Sequence, residues 1–166
     1  AKGKDSIDKL ERWDGAYYSE QLKKSKFNLD EEELRPYFSL ENVLNGVFDI
    51  AGELYNIKFT KAPEVEVYHP EVTVYKVTSS QTNQLVAYVY TDFFLRSTKR
   101  AGAWMSSFKS QCKKNGIDER PQVSVTCNFT KPTATKPSLL TFGEVTTLFH
   151  EFGHALHGML SDTTYP

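Results

Sequence analysis

The residues best suited to chemistry in this 166-residue chain concentrate in residues 147–160, TLFHEFGHALHGML, where His150, His154 and His157 stand among Leu, Phe, Gly and Ala and Glu151 follows the first of them. On an α-helix, positions i and i+4 point the same way one turn apart, so the ring nitrogens of His150 and His154 can converge on one ion. Glu151 lies about 100° round the helix from His150, close enough to hold a water on that ion without ligating it. This H-E-x-x-H spacing is that of helices in which two imidazoles bind zinc and the carboxylate serves as general base. A single zinc ion is the expected cofactor, since neutral imidazoles suit it. A catalytic zinc also needs a third protein ligand and an open position for water. His157 lies two turns from His150, about 10 Å along the axis, so it cannot join both on one ion and is expected to line the cleft instead. Asp162 could fold back only if the helix stopped abruptly at Gly158. The extended pattern with Gly three and His six residues after the second histidine is excluded, because those positions hold His157 and Leu160. The remaining expectation is a carboxylate on a helix beyond residue 166. The competing reading is a noncatalytic helical binding or scaffold module with solvent-facing histidines.

A helix that presents these groups must start and pack correctly. Thr141 and Glu144 match a T-x-x-E capping box, with Leu140 and Val145 as the hydrophobic staple, so the helix is predicted to begin at Phe142. Winding residues 142–160 at 3.6 per turn gathers Phe142, Val145, Leu148, Phe149, Phe152, Leu156 and Met159 into one apolar arc and leaves the histidines outside it. Gly158 is a plausible terminator, although Met159 and Leu160 could extend the helix by a turn.

Upstream, Ile7, Leu10, Trp13, Tyr17, Leu22 and Phe27 recur at helical spacing and predict an amphipathic opening helix. A short capped turn is expected from Asp30, cut off by Pro36. Ser39 caps a longer helix whose buried face is Val43, Leu44, Val47, Phe48, Ala51, Leu54 and Tyr55. From Glu64 the period changes to two, and VEVY, VTVYKV and LVAYVY read as hairpin-linked strands. AGAWMSSFKSQCKK reads as a helix through Trp104, Met105, Phe108 and Cys112, ended by NGIDERP. QVSVTCNF alternates again, with Ser124, Thr126 and Asn128 on one face. This strand, 123–129, is expected to be a sheet edge, either an ordinary structural one or one along which an extended ligand lies, which makes Ser124, Thr126 and Asn128 candidate binding contacts beside His157. The fold class is therefore α+β: a mainly helical lobe over residues 1–166 with a small, mostly antiparallel sheet of about four strands and the histidine helix.

Composition narrows the partners. With 20 basic and 21 acidic side chains the net charge is -1, which gives no general attraction to nucleic acid or anionic membranes. No apolar run is long enough to span a bilayer and the first residues lack a signal peptide's apolar block; a cytoplasmic location is expected, with a periplasmic one as the alternative. Two cysteines are too few for a disulfide framework, and Cys127 reads as a small buried apolar group. His69 before Pro70 reads as a turn residue. Arg96, Lys99 and Arg100 could hold a substrate carboxylate or form a solvated loop.

FHEFGHALHG, preceded by NFTKPTATKPSLLTFGEVTTL and by DFFLRSTKRAGAWM, resembles the thimet oligopeptidase family of zinc peptidases, and within it the bacterial peptidyl-dipeptidases. LERWDGAYYSEQL and LRPYFSLENVLNGVFDIAGELY look like the same family, so the resemblance spans the whole sequence. It implies a larger, mostly helical zincin-like enzyme with two lobes around a deep channel, cutting short peptides and releasing C-terminal dipeptides. His150 and His154 would ligate zinc and Glu151 would be the general base. The third ligand would be a glutamate roughly two dozen residues beyond His154, and a Tyr and a His nearer the C terminus would stabilise the oxyanion. The chain would then be an interior segment that needs the flanking parts of the same enzyme, and inactive by itself.

Overall fold

The computed structural model describes residues 11–27 and 31–165. Helix α1 (Asp14–Phe27) carries the expected apolar residues, yet none of its residues is buried, and Trp13, Tyr17, Leu22 and Phe27 are all exposed. Ile7, Leu10 and the Asp30 cap lie outside the described residues. Helix α2 (Glu31–Leu34) passes into a 3-10 turn at Arg35–Tyr37, where Pro36 prevents continuation.

Helix α3 (Leu40–Tyr55) begins where expected, with the Ser39 side chain accepting from the Asn42 N–H, and ends at Asn56 in the left-handed region. Val43, Leu44, Val47 and Ala51 are buried and Phe48 packs against the core. The expected face is too long: Leu54 is 67% exposed and Tyr55 48% exposed, because the chain turns into the first strand before they meet a partner.

The sheet has five strands in the order β1-β2-β3-β7-β4: β1 (Ile57–Lys61), β2 (Thr73–Ser79), β3 (Leu85–Phe94), β4 (Trp104–Lys109) and β7 (Gln122–Phe129). A separate two-stranded ribbon joins β5 (Cys112–Lys114) to β6 (Ile117–Glu119). The architecture is α+β with four α-helices among the described residues, and the main sheet is mostly antiparallel as expected, with five strands in place of about four. β3 and β7 pair in parallel, all other neighbours antiparallel.

Three element assignments change. VEVY, residues 65–68, is a loop, while β1, unpredicted, forms the sheet edge beside β2. The helix expected over residues 101–114 is strand β4, a turn and β5. Its spacing at 104, 105 and 108 is helical, but Met105 and Ser106 pair with Val125 and Ser124, and that pairing decides the conformation. Asn115 (φ 53°) and Gly116 (φ 77°) form the tight left-handed turn that an Asn-Gly pair provides between strands, so NG opens a hairpin rather than ending a helix. Finally, β7 is not an edge. It lies between β3 and β4, and β4 is the outer strand on that side.

Helices α3 and α4 (Phe142–Met159) pack on one sheet face, where Phe48, Phe59 and Phe152 meet with centroids 4.2 to 5.8 Å apart. Val123, Val125 and Cys127 of β7 point into this core, fully buried. Burial pushes the Cys127 thiol up to about 12, so it is an inert apolar filler. The two helix starts are linked by Leu40 N–H to Ser138 O (2.9 Å) and Leu140 N–H to Phe38 O (2.8 Å).

Candidate metal centre

The start of α4 follows the expected box. Thr141 is the N-cap, its side-chain oxygen accepts from the Glu144 N–H (3.1 Å), and the Glu144 carboxylate accepts from the Thr141 N–H (2.8 Å). Leu140 is fully buried and Val145 packs on the core, completing the staple. Leu148, Phe152, Ala155 and Met159 form the buried stripe. Phe142 and Phe149, placed in the apolar arc from spacing, are exposed, since the stripe that meets the sheet is narrower than the arc.

Gly158 does not end the helix, which runs to Met159 with Leu160 as C-cap. It permits a close approach: a Cβ there would lie 2.8 Å from Met105 Cε and 3.2 Å from Val123 Cγ1. The last turn of α4 therefore lies close against β4 and β7.

With the stripe seated, His150 and His154 face out on adjacent turns. Their Nε2 atoms are 3.2 Å apart and the rings are nearly perpendicular, at 85° with centroids 4.8 Å apart. Two imidazole nitrogens bound to one tetrahedral zinc at ~2.0–2.1 Å lie about 3.3 Å from each other. The observed separation fits that requirement without movement of the backbone. Among the described residues no third His, Cys, Asp or Glu joins them as a group of three. Asp162, the candidate for folding back, is instead paired with Lys113 at 2.7 Å.

Half-buried Glu151 lines a cleft of 470 Å³ together with His154 and His157 on α4 and Ala103, Trp104 and Met105 at the start of β4. The arrangement offers two imidazole nitrogens, an adjacent carboxylate able to exchange a proton with a water, and, as a wall, β4, whose outer edge is unpaired among the described residues.

The other candidates are elsewhere. Ser124 and Thr126 are buried and, by strand alternation, point to the sheet face opposite α4, as does Asn128. The sheet therefore separates all three from the histidines. The Asn128 side chain donates to the carbonyls of Arg100 (2.8 Å) and Gly102 (2.7 Å). His69 is a turn residue whose Nδ1 accepts from the Glu71 N–H (3.2 Å).

Arg96 and Lys99 belong to neither of the two expected roles. They surround Asp92, which is 1% exposed: Arg96 meets both carboxylate oxygens at 2.6 Å and Lys99 Nζ is 2.8 Å from Oδ1. The Tyr68 hydroxyl donates to the same carboxylate at 3.0 Å, and burial followed by the Asp92 charge pushes that hydroxyl up to about 12. Burial alone would raise Asp92. Hydrogen bonds from Arg96, Lys99 and Tyr68 outweigh it and hold the carboxyl below its ordinary 3.8. The DFF.R..K spacing signals this cluster, since a carboxylate on a strand followed at i+4 and i+7 by cations allows the loop to fold back on it. Arg100 instead lies over the Trp104 ring, 4.6 Å from its centroid.

Residues 1–166 match the model of Peptidase family M3. The chain is 41% identical to Oligopeptidase A of Escherichia coli over 162 residues, 97% of this chain and 24% of the relative. It is 45% identical to Dipeptidyl carboxypeptidase of Escherichia coli over 154 residues, 92% of this chain and 22% of the relative. It is 42% identical to Organellar oligopeptidase A, chloroplastic/mitochondrial, of Arabidopsis thaliana over 166 residues, 96% of this chain and 21% of that relative. The chain thus spans less than a quarter of the length of these curated relatives. A match that runs from the first residue to the last, through the Asp92 loop, edge strand β4 and the paired histidines of α4 alike, makes this chain a member of peptidase family M3.

Proposed function

We propose that this chain is the part of a longer zinc peptidase that holds two of the metal's ligands and the general base. The observation that carries the reading is the 3.2 Å separation of the His150 and His154 Nε2 atoms on a helix that starts at a capping box and lies close against the sheet at Gly158. When bound there, zinc would polarise a peptide carbonyl and lower the pKa of water. Glu151, on the turn between the two ligands and facing the cleft, takes the proton of the attacking water and returns it to the leaving amine. His150 and His154 keep their geometry because Phe152 and Ala155, on the buried side of the same turns, are fixed in the core. A third ligand comes from a carboxylate later in the polypeptide.

Substrates are short peptides. An extended peptide adds to the free edge of β4, not to β7, using main-chain hydrogen bonds that are indifferent to side-chain identity. Relatives named an oligopeptidase and a dipeptidyl carboxypeptidase stand at similar identity; we favour release of C-terminal dipeptides. The full-length polypeptide is expected to bind one zinc and cleave short peptides, and Glu151→Gln to retain the zinc while kcat falls about 10² to 10⁴-fold. Retained turnover in that variant removes Glu151 from its role. Cleavage that stops when the peptide C terminus is amidated supports dipeptide release; cleavage unaffected by amidation supports internal cutting.

A further inference from the structure

The loop joining β3 to β4, residues 95–103, contains three cations and no carboxylate. The Lys99 side chain is 3% exposed, and its Nζ donates to the backbone carbonyls of Asp92 (2.8 Å), Phe94 (2.6 Å) and Cys127 (2.8 Å) while lying 2.8 Å from Asp92 Oδ1. Four acceptors thus surround a group with three hydrogens. These carbonyls sit where the parallel pairing slips: Asp92 faces Thr126, but Phe94 faces Phe129. Closer to β4, Asn128 Nδ2 holds the carbonyls of Arg100 and Gly102, and Gly102 adopts a φ of 93° that favours glycine. The next three residues, Ala103, Trp104 and Met105, are the β4 wall of the histidine cleft.

A buried ammonium and carboxylate cost desolvation that apolar side chains of the same volume avoid, so stability alone does not account for the cluster. What it supplies is a fixed exit for the chain into β4. We propose that Lys99 and Asn128 are positioning residues for peptide binding: they anchor the 95–103 loop at two points, Lys99 to carbonyls of β3 and β7 and Asn128 through the carbonyls of Arg100 and Gly102, so that the free edge of β4 runs beside Glu151 and His154 at a distance where an extended peptide can pair with it. The proposal rests on the peptidase reading above and assigns Asn128 a role through β4 in place of direct substrate contact.

The test uses the full-length polypeptide. Lys99→Met keeps the stem and removes the ammonium; Asn128→Ala removes the second anchor and leaves the Asp92 cluster intact. Strand pairing helps ground state and transition state equally, so each variant is expected to keep its zinc, raise KM for a short unblocked peptide about tenfold and hold kcat within about threefold. A purely structural role would lower zinc content and kcat together, and that result overturns the proposal. So does an unmoved KM in the folded variants of an active enzyme. Should Lys99→Met fail to fold, Asn128→Ala decides. A wild-type polypeptide that leaves peptides uncut removes the peptidase reading and this proposal with it, whereas wild-type cleavage with unmoved KM in the variants removes the proposal alone.

Discussion

Asp92 is the residue on which the largest energetic prediction rests. Its carboxylate is buried with two cations and a tyrosine hydroxyl around it. Asp92→Asn would leave Lys99 and Arg96 without their countercharge, and loss of one partner of a buried pair costs about 3–5 kcal/mol. Denaturant melts should show it. Because the folded pKa lies below the ordinary 3.8, the stabilisation is complete above that value and is lost as pH falls through the folded one. Wild type and Asp92→Asn should therefore converge in stability at strongly acidic pH; a constant gap down to that range would show that Asp92 acts by packing instead. The convergence of His150 and His154 on adjacent turns was readable from spacing, because helical phase is a local property. The buried cluster was not read: Arg96 and Lys99 look like solvated loop charges until Asp92 folds under them.

Helix α4 was the element most legible in the sequence, since its capping box, staple and apolar stripe agree with one another. Strand β4 was the least legible. Its residues fit a helix by spacing and become a strand only because β7, some twenty residues later, offers a partner. The close approach at Gly158 was not legible for a related reason: it depends on Met105 and Val123, not on its neighbours in sequence. Two glycines of α4 therefore predict different outcomes. Gly153→Ala meets nothing within 4 Å and should raise stability by about 0.5–1 kcal/mol through helix propensity. Gly158→Ala gains the same propensity, but its Cβ would require Met105 Cε to swing aside and Val123 Cγ1 to give by a few tenths of an ångström, so the gain should be lost or reversed. Thermal melts of both should differ in sign or nearly so; equal stabilisation would mean that the helix does not lie close against β4 and β7.

At the scale of the whole molecule, the described residues leave large apolar groups uncovered on α1, at the end of α3 and at Phe142 and Phe149. The curated relatives are more than four times as long as the segment this chain matches. Among the described residues no helix is long and apolar enough to cross a membrane. Two imidazoles make an incomplete site, so the isolated 166-residue chain is expected to bind zinc weakly, and the full-length polypeptide tightly with one ion. Equilibrium dialysis compares the two directly. Tight stoichiometric zinc on the isolated chain would show that His157, Asp162 or a second copy supplies the third ligand. The central claim is that one ion sits between His150 and His154. Anomalous scattering at the zinc edge from crystals of the full-length protein tests it most directly: the account predicts a single peak about 2.0–2.1 Å from both Nε2 atoms, and a peak bound elsewhere, or imidazoles turned apart around no metal, would contradict it.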